Sequence, residues 1–277
     1  MKTAAKLITV LVILSFLLIG CSEDSTNPDS YEFDEEEDNT SIENLLQSET
    51  GTTDSFRTYV VNEEDEEEDT LFFYRQITAR TINLEIEYTN NHYAEVTRNV
   101  LFEGILHIFT PDSVEYEKEF TENAVRYFDL ERDPDNHNGF RGWRLVATSG
   151  KEYWTDDNEV MIEACHIQTT EVDTVITDIS EKILLDNLIE LSRNTEVTLT
   201  VTTGNNDDLL FIHYHLFQRK PFTNNEDGTY TVTFNTPIFG RFRRFGIDAI
   251  SHDTLYDFED GYSSHSWGIL YQLSEWQ

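Results

Sequence analysis

Two histidines, His213 and His215, stand two residues apart in an apolar run. On an extended chain, side chains at that spacing share a face. Leu210, Ile212, Tyr214 and Leu216 take the other face, so both imidazoles are expected to point outward. Imidazole suits zinc and copper, and His252 and His265 further along are the residues to complete such a set. A second possible chemistry is calcium. The loop Asp133-Pro134-Asp135-Asn136-His137-Asn138-Gly139 and the stretch Asp156-Asp157-Asn158-Glu159 are rich in oxygen donors. The first departs from the EF-hand pattern, its glycine falling one place late and the closing glutamate missing. Both read as polar hairpin loops on their turn residues, with calcium at Asp133, Asp135, Asp156 and Asp157 as the alternative.

Familiar catalytic spacings are absent. There is no Gly-x-Ser-x-Gly elbow, no His-Glu-x-x-His and no phosphate loop. Cys165 lies in a strand-like run beside His166 and reads as a buried structural thiol. Arg241, Arg243 and Arg244, interleaved with Phe242 and Phe245, form the basic cluster of the body and are expected to pair with carboxylates. No catalytic residue is assigned. A carboxylate pair for sugar hydrolysis stays open among so many acids, though nothing singles one out.

The elements that must carry these groups are strands. Ile82, Leu84, Ile86 and Tyr88 alternate with polar residues, the pattern of a half-buried strand. Asn90-Asn91 turns the chain into a return strand over 93–109, with Gly104 marking a bulge or close backbone approach. Further strands are expected at 115–120, 124–130, 143–147, 160–167 and 172–177. Residues 179–192 carry helical spacing or form a crossover with an embedded strand. Beyond them Val197, Leu199 and Val201 alternate with threonines, and strands follow at 209–217, 229–234 and 245–250. Trp267, Ile269 and Tyr271 alternate in a last one. The expected class is all-β, two antiparallel domains over 53–178 and 179–277.

Charge narrows the partners. The chain carries 54 acids against 19 Lys and Arg, a net of −35. Residues 22–69 hold 19 acids against Arg57 alone, and residues 70–277 hold 35 acids against 16 basic residues. Such a field repels nucleic acid and anionic membrane surface. The acidic, apolar-poor stretch 21–52, with its run from Asp34 to Asp38, is expected to be a disordered tether. Within it Ser41-Ile42-Glu43-Asn44-Leu45-Leu46 reads as the start of a short helix capped by Thr40 or Ser41. Residues 56–61 read as a brief first strand, and the acidic run 63–69 as a solvated loop.

Lys2 and Lys6 precede an uncharged apolar run over 7–19 that ends in Leu18-Ile19-Gly20-Cys21. The run is too short to span a bilayer but suits a secretory signal peptide. Its end resembles the lipobox of bacterial lipoproteins. The resemblance implies cleavage between Gly20 and Cys21 and lipid attachment at Cys21, with the acidic segment behind it similar to surface-export signals of Bacteroidetes-type lipoproteins. Ser22 after the cysteine points, by analogy, to the outer membrane. Cys165 is then the remaining thiol, and no intrachain disulfide can form.

Asp227-Gly228-Thr229-Tyr230-Thr231-Val232-Thr233-Phe234, closed by Pro237 and Gly240 and followed by the strand at 245–250, resembles immunoglobulin-like domains of the filamin and bacterial surface type. It covers residues 196–250 and implies a β-sandwich with a tyrosine corner, the Tyr230 hydroxyl bonding back to the preceding loop. It also implies an exposed sheet edge near 209–217 that a partner strand could join. The function expected is a lipid-anchored, non-catalytic binding or scaffolding module of the outer membrane or cell surface, with an envelope protein or glycan as partner. The alternatives are a glycan-active or metal-dependent hydrolase and a calcium-stabilised structural module.

Overall fold

The computed structural model describes residues 32–48, 72–110, 112–136, 139–157, 159–215, 218–259 and 261–274. The expected signal segment, Gly20, Cys21 and the expected elements at 56–61 and 63–69 lie outside the described residues.

The chain is all-β, with helices only at α1 (Glu35–Ser48), α2 (His252–Tyr256) and one 3-10 turn among the described residues. Three long strands open the fold: β1 (Phe72–Asn90), β2 (Tyr93–Phe109) and β3 (Glu115–Arg132). The two strands expected at 115–120 and 124–130 are one. Alternating burial runs through Thr121 and Asn123 without a break, so nothing ends the ladder. At Gly104 a Cβ would sit 2.6 Å from the Gln76 carbonyl and from Phe120. The absent side chain lets β1 and β3 close in where β1 bulges between Ile77 and Ala79.

The remaining strands are β4 (Trp143–Thr148), β5 (Lys151–Trp154), β6 (Ala164–Gln168), β7 (Asp173–Ile176), β8 (Ile183–Leu184), β9 (Glu190–Leu191), β10 (Glu196–Thr202), β11 (Leu209–His215), β12 (Gln218–Pro221), β13 (Thr223–Asn224), β14 (Thr229–Asn235), β15 (Phe242–Ile250) and β16 (Ser264–Leu273). Among the described residues eleven strands form one sheet along the path β1-β2-β3-β5-β16-β15-β11-β12, with β4, β8 and β9 attached at its sides. Five form a second sheet, β13-β14-β10-β6-β7. Pairing is antiparallel except between β9 and β16.

The two sheets pack as a sandwich. Val197, Leu199, Val201, Tyr230, Val232 and Phe234 of the smaller sheet meet Leu210, Ile212, Phe245, Ile247, Trp267 and Ile269 of the larger. The Tyr230 hydroxyl donates to the Asn205 carbonyl at 3.0 Å, tying β14 to the loop before β11.

Hydrogen bonding does not break at residue 178. β5 bridges β3 and β16, and β6 pairs with β10. Residues 179–192 form a crossover of two short bridges around the 3-10 turn. The large sheet also curls. Phe73, Leu106, Ile108 and Phe120 from its first strands pack on Phe211, Ile250, Leu255 and Tyr262. Arg219 of β12 lies 3.9 Å from the centre of the Phe73 ring.

Within the acidic stretch expected to be a tether, residues 32–48 are ordered and carry α1. Asp34 accepts from the Glu37 backbone N–H at 3.0 Å as N-cap, and Glu35, Glu36, Glu37 and Asp38 fill the first turn. Carboxylates suit that end of a helix dipole, so the acidic run starts α1 instead of preventing it. Thr40 and Ser41, expected as caps, lie inside the helix and donate to the Glu36 and Glu37 carbonyls. Ile42, Leu45 and Leu46 are buried against Ala94, Val96, Phe128, Leu130 and Trp143.

Candidate binding face

The register settles which histidines can meet. His213 shares a face with Phe211 and Asp248, whereas His265 follows Ser264 on β16 and pairs with Ala249, one residue on from Asp248. His213 and His265 therefore lie on opposite faces of one sheet and cannot share an ion. Nor does His213 point to solvent as expected. The curl of β1 covers that face, and the His213 Nε2 sits 3.5 Å from the Asp248 carboxylate. Burial lowers its pKa, as do Arg219 and Arg75, against the pull of Asp248. His265 has both nitrogens engaged: Nδ1 accepts from the Ile162 N–H at 3.1 Å and Nε2 faces Glu152 at 3.1 Å. His252 is exposed and stacks on Tyr256. The His215 side chain lies outside the described residues.

Three of the four aspartates weighed for calcium have carboxylates that accept protein hydrogen bonds. Asp133 accepts from the Asp135 N–H, Asp156 from Asn123, and Asp157 from Thr155 and Ser263. Cys165 is fully buried, which raises its thiol pKa and keeps it protonated. Arg243 donates to the Phe239 carbonyl and Arg241 lies over the Phe242 ring, contacts with a carbonyl and a ring instead of the carboxylates expected. Strand β11, expected at an exposed edge, is flanked by β12 and β15. Its short return through 218–221 is itself a strand.

A buried polar network fills the curl. Arg75 donates to both oxygens of Asp248, at 2.5 and 3.0 Å, and to the Tyr262 hydroxyl at 2.6 Å. Ser264 donates to Glu122 at 2.8 Å and Ser266 to Asp248 at 2.8 Å. Lys118 closes it by donating to the Asp253 and Asp257 carbonyls around α2. Ser266 and His213 both address Asp248, so the histidine does not stand between serine and aspartate as nucleophilic catalysis requires. The adjoining cavity, between Gly246 and Gly268, measures about 10 Å³, room for one water.

The outer face of the β1–β2–β3 end is different. Direct cross-strand pairs run Phe72–Phe109–Glu115 and Tyr74–His107–Glu117 across β1, β2 and β3. Tyr74 stacks on the His107 imidazole at 4.6 Å, and Phe72 and Phe109 adjoin at 5.5 Å. His107 is 6% exposed, its Nδ1 lying 2.8 Å from Glu115 and 3.4 Å from Glu117, its Nε2 3.0 Å from the Gln76 amide oxygen. The three aromatic rings are half-buried and the carboxylates reach solvent. Counting residues across a turn at 110–114 would have put His107 opposite Glu117, but the two strands alone gave no reason to look there. Among the described residues no helix is long and apolar enough to cross a membrane. Comparison with family models, curated proteins and solved structures finds no match for this chain.

Proposed function

We propose that the chain is a lipid-anchored protein of the cell envelope, held at the outer membrane through Cys21, that acts by binding a neutral glycan. The observation carrying this is the row of half-buried rings Phe72, Tyr74 and Phe109 beside the acceptors Gln76, Glu115 and Glu117. Aromatic faces take the apolar C–H side of a sugar ring, and amide and carboxylate oxygens accept its hydroxyls. The strong negative field of the body disfavours anionic ligands. Anchoring is supported by the Leu18-Ile19-Gly20-Cys21 sequence, and Glu32, the residue whose carbonyl binds Arg132, follows Cys21 by 11 residues. Those residues reach at most about 40 Å, and the docking of α1 sets where on the body they begin. Immunoglobulin-like kinship of residues 196–250 is part of this reading, supported by the Tyr230 to Asn205 bond.

The test is binding of the lipid-free mature chain to an array of neutral oligosaccharides. Wild type should retain one class that Tyr74→Ala binds about tenfold more weakly, a change of ~1.4 kcal/mol. No binding to any neutral glycan, or equal binding by both proteins, would overturn the assignment.

A further inference from the structure

We infer that His107, Glu115 and Glu117 form a binding site for a first-row divalent cation, with zinc the ion it suits best. The three ligand atoms lie within 4.8 Å of one another. All three come from one hairpin. The Thr110 N–H donates to the Val114 carbonyl at 3.0 Å and the Ser113 N–H to the Thr110 carbonyl at 2.8 Å, with Ser113 at φ 64°. That turn fixes the register that sets His107 directly across from Glu117, and Glu115 two residues away on the same face.

The geometry suits an ion. Around zinc, with nitrogen and oxygen ligands at about 2.0–2.2 Å, neighbouring ligand atoms in a tetrahedron lie about 3.3–3.5 Å apart. The Nδ1 of His107 is 2.8 Å from a Glu115 oxygen and 3.4 Å from a Glu117 oxygen, with the two carboxylate oxygens within 4.8 Å of each other, so seating the ion asks the carboxylates to shift by about an ångström or less. The carboxylates, with side chains 44% and 59% exposed, can supply them.

The imidazole is already held as a metal ligand would be. Its Nε2 is 3.0 Å from the Gln76 amide oxygen. With Gln76 accepting at Nε2, Nδ1 is the nitrogen turned to the two carboxylates, where an ion would replace the N–H···O contact, the second-sphere arrangement of metal-bound histidines. Tyr74 stacks on the ring at an interplanar angle of 14° and fixes its plane. One nitrogen and two carboxylate oxygens favour zinc over calcium and magnesium, which prefer all-oxygen shells, and over copper(I), which prefers sulfur. A divalent charge also offsets the two carboxylates.

The site does not depend on the glycan reading, since zinc is titrated alone. The metal-free mature chain, prepared by chelation, is titrated with zinc by calorimetry in the presence of millimolar magnesium. One ion should bind per chain, and Glu115→Gln/Glu117→Gln should weaken it at least thirtyfold while leaving the melting curve in chelator unchanged. Cobalt substituted for zinc should give visible absorption bands that the double variant lacks. Binding that magnesium abolishes, or that the double variant retains at full strength, would overturn the site. So would no binding by wild type.

Discussion

Replacing Asp38 by alanine should release α1 from the sheet. The Asp38 carboxylate is 0% exposed. Its Oδ1 accepts from Arg141 Nε at 2.9 Å and from Trp143 Nε1 at 3.0 Å, and its Oδ2 accepts from the Asp34 N–H at 3.0 Å. Arg132, almost wholly buried, pairs with Oδ2 at 3.3 Å. Removing one partner of a buried ion pair costs about 3–5 kcal/mol because the other charge stays behind. Arg132 keeps bonds to the Arg141 and Glu32 carbonyls, which holds the cost near the lower end of that range. A loss of ~3 kcal/mol raises the opening constant of α1 roughly 150-fold. Hydrogen exchange of the peptide 35–48, followed by mass spectrometry, reads that constant directly. Asp38→Asn keeps an acceptor for Trp143 and should lose less. Leu45→Ala, which removes apolar packing alone, should open the helix without altering Arg132. Protection of α1 in Asp38→Ala within threefold of wild type would refute the clamp. For the proposed anchoring the consequence is direct, since α1 would set where the segment behind Cys21 joins the body.

Two further outcomes are expected. Burial lowers the His213 pKa in the folded protein, so on acidification from neutrality the unfolded chain takes up this proton first. This histidine's contribution is therefore present above pH ~6.5 and is lost as pH falls towards the lowered folded value. Urea melts between pH 7.5 and 5.5 should show a shallower loss for His213→Gln than for wild type, and identical slopes would remove His213 as a cause. Mass spectrometry of the amino-terminal peptide from native membranes should find an acylated Cys21 as first residue, and Cys21→Ala should leave the membrane fraction. An unmodified Cys21 thiol there would contradict anchoring.

The strands with clean alternation were legible in the sequence. Leu84 to Tyr88 and Val197 to Val201 lie where alternation put them, because their apolar side chains share a covered face, whereas Ile82, the first of the series, is exposed. β5 was not legible. Its four residues begin with Lys151 and Glu152, too short and too polar to show a period, yet it joins β3 to β16. α1 was half legible. Ile42, Leu45 and Leu46 showed helical spacing, but the acidic run before them reads as solvated tail unless Arg132, Arg141 and Trp143 are known to wait for Asp38. The histidine set failed for a similar reason. Sequence spacing placed His213 on a face but could not show that β1 would cover it.

The central measurement is amide chemical-shift mapping of the isotopically labelled, lipid-free mature chain as a neutral oligosaccharide from the array is added. Shifts concentrated in residues 72–76, 105–109 and 115–119, with α1 and β14 unmoved, are the expected result. Shifts centred elsewhere, or none at saturating glycan, would contradict a binding role for the face that carries Tyr74 and His107.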